Sequence, residues 1–148
     1  MLLNMVTAES LARLRAQMEA AAGEAGREPP KLAVWLCLAV DPSRETVAQL
    51  KRAVVGYLAA PGYSEMMSAA GFGELVKFAK TRPHPAELLA AMPDELVSSI
   101  GLVGDLDQVE QRLEAYRQAG ADEICLVPAT AGDPGGAASL RAMMARGN

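Results

Sequence analysis

The run Leu32–Val40, with the sequence LAVWLCLAV, limits the possible fold of this chain more than any other segment. Its only polar side-chain groups are the Trp35 N–H and the Cys37 thiol. The run is too short, and too sharply bounded by Pro29-Pro30 and Asp41-Pro42, to form a helix of its own. A strand that is apolar on both faces needs cover on both faces, which is typical of a parallel sheet flanked by helices. The segment therefore predicts an α/β fold.

Three further short apolar segments read as strands, and helical patterns separate them. We predict strands near residues 2–6, 32–40, 101–103 and 123–127, in a single domain that spans residues 1–148. Residues 61–100 form a longer connection made of short helical pieces, because its prolines prevent a continuous helix. The alternation of strands and helices predicts a parallel sheet with right-handed crossovers. Two architectures remain open, a small open α/β sheet and half of a (β/α)₈ barrel, which needs roughly 250 residues when whole.

Polar residues directly before the helical patterns predict where the helices begin. Thr7 and Asp105 have side chains that can accept a hydrogen bond from a free N–H of the first turn. Asp41-Pro42 predicts a third helix start, with an acidic cap followed by proline at the first helical position. Thr7, Asp41 and Asp105 thus mark the expected starts of the helices that follow the first, second and third strands, respectively.

Charge and composition exclude several classes of function. The net charge is −4 and aromatic residues make up 4% of the chain, with no Lys/Arg-rich run, so we expect no nucleic-acid partner. No apolar run approaches the roughly 20 residues of a membrane-spanning helix, and no signal peptide is visible, so we expect no membrane partner. Cys37 and Cys125 lie in apolar runs and read as reduced, buried thiols, and the one histidine, His84, offers no metal site. These features indicate a cytoplasmic protein.

Four stretches of the sequence occur in an order and at a spacing that are found together in a known family. They are AAPGY (59–63) with AGF (70–72), PDELV (93–97), GD (104–105) leading into Val109, and AGADE (119–123) continuing through VPATAGDPGG (127–136). Together they resemble the C-terminal region of the luciferase-like monooxygenase superfamily, and within it the coenzyme F420-dependent oxidoreductases. The resemblance implies the C-terminal half of a TIM (β/α)₈ barrel, with four βα units and a helical insertion, and the family's first four units are absent.

The resemblance also implies a function. The family transfers a hydride between a reduced deazaflavin or flavin, coenzyme F420 or alternatively FMN, and an organic small-molecule substrate. The missing units hold much of the cofactor-binding wall, so we expect this chain to be incomplete as an enzyme and to bind neither cofactor tightly alone. The alternative is a non-catalytic half-barrel, which pairs with a second copy or with a separate N-terminal half through open sheet edges at Leu3 and Ile124.

Barrels of this kind place their working residues at the carboxyl ends of the strands. Asn4 ends the first strand, and its amide can hydrogen-bond a flavin-like ring or a substrate, or else pair with nearby backbone. Thr130 and Gly132 lie in the loop after the last strand, which binds a cofactor phosphate or is a plain surface loop. By resemblance, Tyr63 and Phe72 in the insertion border a substrate channel, or else they fix the insertion to the barrel. No residue is assigned as catalytic.

Overall fold

A computed structural model describes residues 1–146 as a four-stranded parallel sheet covered by helices, which confirms the predicted parallel α/β fold. The strands are β1 (Leu2–Asn4), β2 (Ala33–Val40), β3 (Leu102–Gly104) and β4 (Glu123–Pro128). The helices are α1 (Ala8–Glu24), α2 (Arg44–Val54), α3 (Tyr63–Met67), α4 (Gly73–Lys80), α5 (Pro85–Ala91), α6 (Asp94–Ser99), α7 (Leu106–Gln118) and α8 (Ala137–Arg146). A π-type turn, Ser68–Phe72, separates α3 from α4 because Gly71 has a φ of 98°.

Strand β2 is the centre of the sheet and pairs with all three other strands. Ala33 N–H donates to Met1 O, just before β1, and Asp41 N–H donates to Gly104 O, at the end of β3. The carbonyl of Leu38 accepts from Ala129 N–H, just after β4. Odd and even residues of a strand point these groups to opposite edges. Strands β1 and β3 therefore share one edge of β2, and β4 occupies the other.

This strand order differs from the successive order of a barrel, in which β1 and β3 would lie on opposite edges of β2. The reason is length. β1 pairs with residues 33–35 and β3 with residues 38–40, so that each three-residue strand covers about half of the same edge. The opposite edge is left to β4, which pairs with residues 33–38. Within residues 1–146, β1 and β4 each have only this one strand neighbour.

The two faces of β2 belong to two different hydrophobic clusters. On the α1 face, the side chains of Val34, Leu36 and Leu38 are fully buried against α1 and α7. On the opposite α2 face, Ala39 packs against α2, α4 and α6. Helices thus cover both faces of β2, as predicted, but on the α2 face they cover only the carboxyl end of the strand. Trp35, which lies on that face nearer the start of β2, keeps 49% of its surface exposed.

Two of the three predicted helix starts are confirmed. The side chain of Thr7 accepts from Ser10 N–H at the start of α1, and that of Asp105 accepts from Gln108 N–H at the start of α7. The prediction for Asp41-Pro42 is wrong, because Ser43 caps α2 through Thr46 N–H. Asp41 instead has a φ of 48°, which is outside the conformation that an N-cap residue adopts.

Candidate functional site

Two residues in the left-handed region mark the carboxyl ends of β1 and β2. Met5 directly follows β1 with a φ of 47°, and Asp41 directly follows β2 with a φ of 48°. Met5 also explains why β1 ends at Asn4, earlier than the predicted residue 6, since its backbone leaves the extended conformation. A positive φ is unfavourable for residues other than glycine, and such strain is concentrated at functional sites. These two positions mark the carboxyl end of β1 and that of β2 as candidate site regions.

Asn4 and Tyr63, which were predicted separately for cofactor and substrate, meet at this end of β1. The Tyr63 hydroxyl donates to Asn4 Oδ1 over 2.6 Å. Partial burial raises the pKa of the Tyr63 hydroxyl, so it stays protonated as a donor at neutral pH. The ring of Tyr57 meets that of Tyr63 edge-on, with centroids 4.9 Å apart. The contact fixes the Asn4 carbonyl group and leaves its amide N–H₂ with no acceptor among residues 1–146.

An apolar cleft of about 160 Å³ opens beside Asn4 on the α2 face of the sheet, and we call it the Trp35 cleft. Its floor is β2, and one wall comes from α2 and α6. Trp35 and Val127, at 49% and 44% exposure, stand at its mouth. The cleft is smaller than the roughly 300 Å³ at which ligand pockets begin, so it encloses only part of a ligand. Its lining residues are Asn4, Met5, Trp35, Cys37, Leu50, Ala53, Val54, Val97, Ile100 and Val127.

The two cysteines are free but less buried than the sequence predicted. Cys37 lines the Trp35 cleft, and both it and Cys125 are partly exposed. Burial of the Cys37 thiol raises its pKa, so the neutral form dominates at pH 7 and the side chain acts as an apolar wall. Over the part of the chain that the structure describes, no three His, Cys, Asp or Glu side chains are arranged to hold a metal.

The loop predicted to bind a cofactor phosphate is held by α2. Gln49 Oε1 accepts from the N–H groups of Thr130 and Ala131, at 3.1 and 2.9 Å, and Gln49 Nε2 donates to Thr130 Oγ1. Thr46 Oγ1 donates to Ala131 O. Gly132 has a φ of 76°, and a Cβ there would lie 2.6 Å from Ser43 Oγ. The donors of Thr130 and Ala131 are therefore already used inside the chain.

The structure gives Phe72 and Gln49 contacts that the sequence did not predict. Phe72 is partly buried and packs against the hydrophobic cluster of α2, α4 and α6, and it does not line the Trp35 cleft. Its predicted place at the border of a substrate channel stays a prediction. Gln49 was missed because a polar residue in the middle of an amphipathic helix carries no signal for a partner more than 80 positions away.

The chain is similar to known proteins in sequence and in fold. The sequence model of a family described as Luciferase-like monooxygenase matches residues 1–123. No curated protein sequence gives a significant match. Across residues 1–146, no helix has the length and apolar character needed to span a membrane.

Two solved structures show the similarity in fold. Coenzyme F420-dependent tetrahydromethanopterin reductase from Methanopyrus kandleri is 17% identical with a TM-score of 0.66, and the match covers 86% of this chain and 38% of that one. An F420-dependent secondary alcohol dehydrogenase in complex with an F420-acetone adduct is 13% identical with a TM-score of 0.54, covering 86% and 36%. The chain thus spans less than two-fifths of either relative. At such identities the likeness concerns the fold alone.

Proposed function

The chain belongs to the luciferase-like monooxygenase family, and from that premise we propose that it forms part of an oxidoreductase that uses coenzyme F420 or, alternatively, FMN. In this proposal the complete enzyme transfers a hydride between the reduced cofactor and an organic small-molecule substrate. The observation that carries the proposal is the Trp35 cleft, an apolar surface with the fixed Asn4 amide at its edge. The names of the two structural relatives, both F420-dependent, favour F420 over FMN.

The residues of the Trp35 cleft fit one face of a planar ring. Trp35, Met5 and Val127 offer apolar surface that excludes water from a bound ring. The Asn4 N–H₂ can donate to a carbonyl oxygen on the edge of that ring, while Tyr63 holds the amide in one orientation. When bound, the cofactor supplies the hydride chemistry, and the protein orients it. The small volume of the cleft agrees with a site whose other wall lies outside these residues.

Titration with F420 and with FMN tests this proposal, and the chain carries its own reporter. Trp35 is the one tryptophan of the sequence and lines the cleft, so its fluorescence reports on the cleft once it is corrected for absorption by the cofactor and for the quenching of free tryptophan amide. We expect saturable quenching with a dissociation constant in the range of about 0.1–1 mM, because only one wall of the ring is covered. Tyr63→Phe should weaken binding about three- to tenfold, because the Asn4 amide loses its hydrogen-bonded support.

Tyr57→Phe is the matched control for Tyr63→Phe. It removes a hydroxyl from the neighbouring ring, keeps the edge-on contact, and should leave binding unchanged. Quenching up to about 5 mM of either compound that does not exceed that of free tryptophan amide would exclude a ring site in the Trp35 cleft. A dissociation constant below about 10 µM would instead show that this chain by itself encloses the cofactor, which contradicts the proposed partial site.

A second candidate function is association without catalysis, and the open edges of the sheet favour it. β1 and β4 each have one strand neighbour, and Leu2 and Val127 on these strands are exposed. Open edges with apolar side chains promote pairing with another chain. We expect light scattering after size exclusion to give a mass of about twice 15.5 kDa at high micromolar concentration. A monomer at all concentrations would count against pairing with a second copy.

A further inference from the structure

A second cavity, of about 440 Å³, lies on the α1 face, between the start of α1 just after β1 and Ser99 just before β3. We call it the Arg112 cavity. Its walls are the first turns of α1, the middle of α7 and the turn that contains Ala69 and Ala70. In contrast to the Trp35 cleft, it is lined by the hydroxyl residues Ser10 and Ser99 and by two arginines, Arg13 and Arg112. Its volume lies within the roughly 300–1000 Å³ of small-molecule pockets.

Arg112 is a partly buried cation with no carboxylate partner among residues 1–146. Of the fourteen Lys and Arg residues in the chain, only Arg15, Lys51 and Arg112 are partly buried. Arg15 pairs with Glu19 and Asp122, and Lys51 pairs with Asp94. Within the described residues, Arg112 instead makes one hydrogen bond, from Nη1 to Val103 O over 3.1 Å. A guanidinium has five N–H donors, so most of those on Arg112 have no protein acceptor within residues 1–146.

The surroundings of Arg112 bring a second positive charge close to it. Arg112 is partly buried, and this burial lowers the pKa of its guanidinium. Arg13 adds a second positive charge and donates from Nη2 to Ser10 Oγ over 2.8 Å. Glu9 is the one carboxylate among the lining residues, and it forms no ion pair with either arginine. The cavity therefore holds two positive charges and one negative charge, with neither arginine neutralised.

We propose that the Arg112 cavity binds the phosphate group of a small-molecule ligand, with Arg112 and Arg13 as its charged contacts and Ser10 as a hydroxyl donor. A guanidinium matches two phosphate oxygens at once, which makes arginine a preferred residue for this group. The site goes beyond the proposed function, because it does not depend on the Trp35 cleft or on the identity of the ring.

Titration with pyrophosphate, followed by amide and Arg Nε–Hε shifts in ¹H–¹⁵N NMR spectra, tests the site. We expect saturable shifts centred on residues 7–13 and on Arg112. Arg112→Gln should weaken binding at least about tenfold, and Arg13→Gln, at an exposed position, about threefold. Glu9→Gln should strengthen binding about two- to threefold, because it removes the opposing charge.

Arg117→Gln is the matched control, since Arg117 lies on the same helix, is exposed and pairs with Glu114 outside the cavity. Equal affinities of Arg112→Gln and Arg117→Gln, or no shifts near residues 7–13, would overturn the proposal. If Arg112→Gln does not fold, the opposite effects expected for Arg13→Gln and Glu9→Gln still decide it. FMN and riboflavin differ by one phosphate, which makes them a matched pair once the site is established. If FMN displaces pyrophosphate and riboflavin does not, the site binds the phosphate of the cofactor. If neither compound displaces pyrophosphate, the site binds another phosphorylated ligand.

Discussion

Replacing Leu36 with alanine is expected to lower the free energy of unfolding by about 2–5 kcal/mol. Leu36 is fully buried at the centre of β2, within the cluster formed by that strand, α1 and α7. The substitution removes apolar surface from the core and leaves a cavity that its strand and helix neighbours cannot fully close. Because small domains have a total stability of about 5–15 kcal/mol, we expect a large shift of the urea midpoint in circular dichroism.

Leu2→Ala provides the control for this loss. The chemical change is the same and the residue also lies in a strand, but Leu2 is 52% exposed. We expect it to cost less than about 1 kcal/mol, since little of its side chain is removed from water. Equal losses for the two variants would mean that β2 is not the buried centre of the sheet.

Replacing Gly136 with alanine is expected to cost about 2–5 kcal/mol, for two reasons that add. Gly136 has a φ of 66°, a conformation that costs an L-residue about 1–2 kcal/mol. A Cβ at this position would also overlap Pro128 Cβ and lie 3.0 Å from its Cγ, at the end of β4. Overpacking of this kind costs about 1–3 kcal/mol, because the backbone and the closed ring fix the position of Pro128 Cβ.

Gly135→Ala separates the two contributions. Gly135 has a φ of 67°, and its added Cβ would meet no atom within 4 Å. It should therefore show the conformational cost of about 1–2 kcal/mol without the overlap. Urea unfolding of both variants gives the difference directly. A Gly136→Ala variant as stable as Gly135→Ala would show that the turn after β4 does not pack against Pro128 as described.

The central strand could be predicted from sequence because its evidence is local. Nine consecutive apolar positions between two proline-containing boundaries leave few alternatives to a buried parallel strand. The caps at Thr7 and Asp105 were equally accessible, since each requires one side chain and an N–H three residues later. Asp41 was misread because both Asp41 and Ser43 are good capping residues, and the pattern does not show which backbone turns left-handed.

The strand order could not be read from the sequence. A right-handed crossover from β2 can place β3 either on the free edge of β2 or on the edge that β1 already occupies. The observed arrangement, with β1 and β3 on the same edge, is possible only because both strands are short. The exposure of Trp35 depends on the same feature, since the α2 face is covered only where α2 and the insertion reach it. An apolar run by itself does not reveal that part of one face is open.

The candidate site was predictable residue by residue but not as a group. The carboxyl ends of the strands indicated Asn4, and the family resemblance indicated Tyr63. Their contact joins positions separated by 59 residues, and no local pattern encodes that distance. The loop of Thr130 and Gly132 was chosen for its glycines, which identify a tight turn but cannot show whether Gln49 or a ligand occupies the N–H groups.

Intermolecular nuclear Overhauser effects between the protein and reduced F420 or FMN test the central claim most directly, because they locate the ring even when binding is weak. Magnetisation transfer from ring protons to the Trp35 indole, the Met5 methyl and the Asn4 side-chain amide is expected. Transfer only to residues 130–136, or to none of the cleft residues under saturating conditions, would contradict the claim that this chain supplies one wall of an oxidoreductase site.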